Sequence, residues 1–145
     1  MLKPQKKIQM SDENYKHSEI TELIIKAFYT VYNTLGYGFL EKVYENAMLI
    51  ELKKLGLNAT AQHPVTVYYE NQQVGGYFAD LFVENCVIVE LKTSDSISSE
   101  NEAQLVNYLK ATVVEVGLVM NFGKKAEFKR KVFSNDFKEC KTFID

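Results

Sequence analysis

Two apolar segments of this chain carry charges that such segments seldom tolerate. Tyr77-Phe78-Ala79-Asp80-Leu81-Phe82-Val83 holds Asp80 in its middle, and Val87-Ile88-Val89-Glu90-Leu91-Lys92 ends on Glu90 and Lys92. Both are rich in β-branched and aromatic residues and read as strands. The second is apolar on both faces up to Glu90, which predicts a central strand covered on both sides. An unpartnered buried charge is too costly to keep. These three residues therefore either pair with one another inside the fold or border a solvated cleft.

Glu90 and Lys92 are two apart and share a face of their strand. Two carboxylates and a lysine on adjacent strands can hold a hard divalent cation with water beside it, Mg²⁺ first and Mn²⁺ as its substitute. Such an ion stabilises charge on a phosphoryl group and acidifies its water, which Lys92 would orient. The alternative is a buried ion pair of Lys92 with Glu90 or Asp80, and spacing alone leaves both open. The cleft requires Asp80 and Glu90 on one face. A two-residue turn at Glu84-Asn85 would pair Asp80 with Val89 and turn it away from Glu90. A three-residue connection, Glu84-Asn85-Cys86, pairs Val83 with Val87 and sets Asp80 opposite Glu90, and a bulge would restore the same parity. Asn85 or a neighbour would supply the positive φ that such a loop needs.

The rest of the chain supplies layers for these strands. Ser18 opens a helix as its cap, with an apolar stripe from Ile20 to Leu35, and Gly36 ends it in a left-handed cap. A second helix starts near Phe39 and closes at Gly56, with Glu41 at the edge of its stripe. Glu51, near that helix's end, is expected to bond backbone or a lysine. Val65, Val67 and Tyr69 alternate as a strand, Glu70-Asn71-Gln72 offers a turn, and Val74 to Val83 follows with Gly75-Gly76 as a bulge or close approach. Ser99-x-x-Glu102 is a capping-box pattern opening a third helix to about Ala111. Strands follow at Val114 to Met120 and Phe128 to Phe133. The order αα, three strands, α, two strands predicts an α/β fold, a mixed central sheet of about five strands flanked by three helices. Gln104 and Tyr108 are neighbours on the third helix. Gln104 could aim its amide at a phosphate or a metal-bound water; for Tyr108, core packing is the favoured reading.

The 145 residues suit one domain over 18–145, preceded by a loose arm over 1–17. No apolar run is long enough to span a membrane, and no secretory leader pattern follows Lys3, Lys6 and Lys7, which suits a cytoplasmic protein. Cys86 and Cys140 form no CxxC pair, and with His17 and His63 they fit no zinc pattern. The net charge of −2 excludes a uniformly basic nucleic-acid binder. Arg130 is the sole arginine, so base reading by bidentate arginine is not the main business of the chain. The best basic patch is Lys124-Lys125-x-x-x-Lys129-Arg130-Lys131. Lys124, Lys125 and Arg130 are candidate substrate contacts there, against the alternative of a lysine-guarded edge strand.

Gly38-x-x-Glu41-x-x-Tyr44 resembles the bacterial GxxExxY proteins, a branch of the PD-(D/E)XK nuclease superfamily. The resemblance runs from about residue 20 to 132. It includes Gln62-x-Pro64, Ala79-Asp80-Leu81, Val89-Glu90-Leu91-Lys92 and Glu102-Ala103-Gln104-Leu105-x-Asn107-Tyr108-Leu109. It implies a restriction-endonuclease-like core with Asp80 and Glu90 as metal carboxylates, Lys92 as the superfamily lysine and Glu41 completing the metal site. Gln104 and Tyr108 look like the QxxxY element of exonuclease-like branches, Gln104 catalytic and Tyr108 a substrate contact. Ala79 stands in place of the superfamily's proline, and Asn101 where many relatives have a histidine. The function implied is a Mg²⁺-dependent phosphodiesterase acting on nucleic acid. The alternatives are a catalytically silent module that binds nucleic acid or a protein partner, and a structural homodimer.

Overall fold

The period-two alternation in the second half of the chain becomes a sheet, and the amphipathic stripes become helices on its two faces. The computed structural model describes residues 16–138. In chain order the elements are α1 (Ser18–Leu35), α2 (Glu41–Lys54), β1 (Ala59–Tyr69), β2 (Gln72–Val83), β3 (Val87–Lys92), α3 (Ser99–Lys110), β4 (Val116–Phe122) and β5 (Ala126–Val132). The strands lie in the order β1-β2-β3-β4-β5, so β3 is central as its two-faced apolar character predicts. β3 and β4 are parallel and joined through α3; the other neighbours are antiparallel. No described helix is long and apolar enough to cross a membrane.

Two apolar clusters hold the layers. Ile24, Phe28 and Val31 of α1 and Tyr44, Met48 and Leu52 of α2 pack on Val87, Val89, Leu91, Leu118 and Met120. On the other face Leu105 and Leu109 of α3 pack on Ile88, Val119, Ala79 and Val65. α3 sits close because β4 offers Gly117 beneath it: a Cβ there would come within 2.6 Å of Leu105 Cδ1.

Several element ends differ from the sequence reading. Ser18 is the first helical residue, not the cap; His17 precedes it with φ 53° and no side chain caps α1. Gly36 ends α1 at φ 68°, ψ −155°, a positive φ outside the left-handed helical region. The box that opens α3 lies one residue earlier than expected. Asn101 N donates to Ser98 Oγ and Ser98 N donates to Asn101 Oδ1, so Asn101 serves as a cap. Glu102 instead meets Lys131 at 2.6 Å. The bulge falls at Val74, where Val67 pairs with Gly75 but Tyr68 with Gln73. Glu51 pairs with Lys54, one of the partners expected for it. Residues 1–15 of the expected arm, and Cys140, lie outside the described residues. Lys16 is not loose: it lies 3.6 Å from Glu115, and its carbonyl accepts from Arg130.

Gly117→Val is expected to destabilise the protein by about 1–3 kcal/mol, as overpacking against a seated helix does. A denaturant midpoint equal to that of the wild type would show that α3 does not depend on the close approach at Gly117.

Candidate functional site

Of the two solutions that strand parity allows, an odd-length connection or a bulge, the connection between β2 and β3 takes the first, with three residues. Val83 pairs with Val87, Phe82 with Ile88 and Leu81 with Val89; Glu84 and Asn85 supply positive φ values of 54° and 56°. One step further, the carboxylates take over the cross-strand bonding. Glu90 Oε2 accepts from Asp80 N at 3.2 Å, and Asp80 Oδ2 accepts from Leu91 N at 2.7 Å. The two acids are thus locked together where the ladder ends.

β2 also changes allegiance at this point. Leu81 and Val83 belong to the cluster under α1 and α2, whereas Ala79, still odd-numbered, packs under α3. Strict alternation cannot do that. The break lies between the pairs Ala61–Leu81 and His63–Ala79, where Gln62 has φ 56°. Gln62 Nε2 donates to Glu45 Oε1 at 2.8 Å, and the Gln62 side chain lies close enough to Asp80 to pull its carboxyl down. Glu45, 4% exposed, takes Lys42 Nζ at 2.8 Å on its other oxygen. The sequence alone does not single out Glu45 or give Gln62 a task. The available signal was a second acid one turn after Glu41, facing the Gln62-x-Pro64 motif.

Glu41 arrives from the opposite layer. It is the first residue of α2, where a carboxylate suits the helix dipole. The loop before it is pinned by Tyr44, which is fully buried and stacked on Phe122 at 4.1 Å. Tyr44 Oη donates to Gly36 O at 2.6 Å and accepts from Phe39 N at 3.2 Å. Between them Gly38 has φ 110°, a conformation that side chains resist. The Gly38-x-x-Glu41-x-x-Tyr44 spacing is therefore a device for presenting Glu41: a turn, a helix start and an anchor. Although α2 packs on the other face of the sheet, Glu41 lies within the fields of Asp80, Lys92 and Glu90.

Electrostatics ties the group together. Burial, then the Asp80 charge, pushes Glu90 up to about 8; the Asp80 backbone bond and Lys92 pull the other way. Burial also raises Asp80, against the Leu91 hydrogen bond. Partial burial and the Asp80 charge raise Glu41. Among the described residues no ion pair joins Lys92 to any of these acids, so the buried salt bridge does not form. Tyr77 and Tyr108 stack beside Glu90, centroids 3.5 Å apart. Burial and then the Glu90 charge push Tyr108 up to about 12. Tyr77 Oη is buried without a hydrogen-bond partner among the described residues. Gln104 shares a cleft with Tyr77 and Tyr108.

The basic patch is not brought to this group as one surface. Lys131 is engaged by Glu102 of α3, while Arg130, between Phe128 and Val132 on the α1 face, donates to the Lys16 carbonyl. Lys124 and Lys125 are exposed in the turn before β5, an edge strand.

The donor set suits a hard cation. Two crowded, largely buried carboxylates form no ion pair among the described residues, and a third stands near. Among the described residues no three Asp, Glu, His or Cys side chains gather tightly enough to ligate one ion together.

The family model of the PD-(D/E)XK nuclease superfamily matches residues 18–131. No curated protein matches the chain. Among solved structures, the crystal structure of SSO0001 is similar with a TM-score of 0.51, covering 92% of this chain and 71% of that one at 19% identity, a likeness of fold alone.

The raised Glu90 has a consequence for stability without metal. A carboxyl that holds its proton more tightly folded than unfolded stabilises the fold fully below its unfolded value. That stability is lost as pH rises from about 4.5 toward 8. Glu90→Gln removes the titration, so in a chelator its melting temperature should gain on the wild type across that window. Parallel melting curves against pH would show that Glu90 is not held protonated.

Proposed function

The chain belongs to the PD-(D/E)XK nuclease superfamily, and we propose that it is a metal-dependent phosphodiesterase acting on nucleic acid. One observation carries this reading: Asp80 and Glu90 are held together, largely buried, by backbone hydrogen bonds from each other's strand, with no cation among the described residues paired to either. Nucleases of this superfamily generally use divalent metals. Asp80 and Glu90 would hold the ion, with Glu41 completing the set directly or through a retained water; Mg²⁺ is the proposed ion and Mn²⁺ its substitute. Bound there, a divalent ion supplies Lewis acidity toward a phosphoryl oxygen and acidifies a water.

The chain's own side chains do the rest. Lys92 shares a face with Glu90, and its ammonium can orient the attacking water and offset negative charge growing on the phosphoryl oxygens. Gln104 and Tyr108 would hold the substrate strand. Glu45 and Gln62 keep Asp80 in position. Within the superfamily, Gly38-x-x-Glu41-x-x-Tyr44 supports a place among the GxxExxY proteins, and with it a bacterial cytoplasmic setting.

A second reading, a module that binds nucleic acid or a protein partner without turnover, draws on the absence of a tight three-ligand cluster among the described residues. Calorimetry with Mn²⁺ and cleavage of a labelled DNA and RNA panel separate the two. Glu90→Gln should lose Mn²⁺ binding and all hydrolysis while remaining folded. Lys92→Ala should keep Mn²⁺ binding and lose roughly 100-fold or more in rate. Unchanged Mn²⁺ affinity in Glu90→Gln would sink the ligand role, and a wild type that binds the panel but never cleaves it would favour the silent module.

A further inference from the structure

Beside the carboxylates lies a cleft of about 700 Å³. One wall is the outer face of α3, where Ala103, Gln104, Asn107 and Tyr108 fall at helical spacing. The other is Tyr68 and Tyr77 of the β1–β2 hairpin. The stacked rings of Tyr77 and Tyr108 join the two walls. Val67 and Tyr68 are consecutive strand residues, yet both line the cleft. The β1–β2 ladder shifts register between these two residues, and such a bulge twists a strand and re-aims its side chains. Tyr108 belongs to both places, since the charges of Glu90 and Asp80 reach it.

The chemistry of the walls narrows the occupant. The volume lies in the range of small-ligand sites, and the rings give flat apolar surface. Gln104 and Asn107 each present a donor and an acceptor, the pattern that reads the edge of a base. Among the described residues the only charged groups lining the cleft are Glu100 and Lys110, opposite in sign, so a phosphate cluster or an acidic peptide finds no matching field. A base within a duplex has its faces stacked and its pairing edge occupied, so it cannot enter a walled cleft unless it is first unpaired.

We infer that this cleft is a subsite for an unpaired nucleobase, and that the strand reaching the carboxylates enters single-stranded. The inference rests on the proposed phosphodiesterase for what happens next to that strand, but its binding test does not.

The test measures binding of a short fluorescein-labelled oligothymidylate, and of a blunt duplex of the same length, with Ca²⁺ in place of Mg²⁺. Two variants probe the cleft. Ala103→Trp fills it from an exposed helix position, and Tyr68→Ala removes one ring; circular dichroism verifies that each is folded. The wild type should bind the single strand at least ten-fold tighter than the duplex. Each folded variant should weaken single-strand binding by roughly ten-fold, within the range of about 5- to 150-fold that one base–aromatic stack carries. Equal binding of single strand and duplex by the wild type, or unchanged single-strand binding in a folded Ala103→Trp, overturns the inference. Hydrolysis of bis(p-nitrophenyl) phosphate by the wild type with Mn²⁺ is read separately. Its failure, with the binding pattern intact, would count against the enzyme and leave the subsite standing.

Discussion

Side chains alternate along a strand, so the number of residues between β2 and β3 decides which side chains can meet at the end of the sheet. With Glu84, Asn85 and Cys86 between the paired residues Val83 and Val87, Asp80 and Glu90 come together. Removing one residue without a compensating bulge would separate them. Once together they cannot repel each other apart, because each accepts a backbone hydrogen bond from the other's strand. The bonds keep both acids in place at a crowding that would otherwise drive them toward water. Lys92 on the same face, Glu41 from the next layer and the two tyrosines all take their meaning from that pair.

The placement of Glu41 shows how a site can be assembled across a sheet. α2 contributes nothing to the face on which Glu90 lies, yet its first turn reaches the sheet's end. Tyr44 sets that reach: its ring is fixed against Phe122 of β4, and its hydroxyl holds both Gly36 and Phe39 of the preceding loop. Glu41 is thus referenced to β4, next to the strand that carries Glu90, rather than to a free loop.

Most of this layout was legible in the sequence because it follows from periodicity and parity. Element order, the central place of β3 and the turn length each rest on counting residues along a strand or helix. What escaped the reading depends on long-range pairing. The capping box of α3 moved by one residue because Ser98 and Asn101 satisfy each other, while Glu102 has a better partner in Lys131, remote in sequence. The basic run of β5 looked continuous as a string, but a strand sends neighbours to opposite faces, and Arg130 and Lys131 are engaged on different sides. Glu45 reads as an ordinary surface residue of α2 until β1 brings Gln62 against it. The catalytic roles proposed for Asp80, Glu90, Lys92, Glu41 and Gln104 rest on family resemblance added to spacing.

The switch of faces at Asp80 divides the molecule into two parts with different freedom to vary. On one side of it the β2 strand is bound to the core beneath α1 and α2; on the other it leaves that core and runs with β1 as a hairpin beside α3. The acids stand at the seam. Changes in the hairpin's length or tip leave the β2–β3 register untouched, because that register is counted from the other end of the strand. Descendants of such a chain could therefore reshape the hairpin wall without re-solving the placement of the acids, a division of labour written into where one strand changes sides.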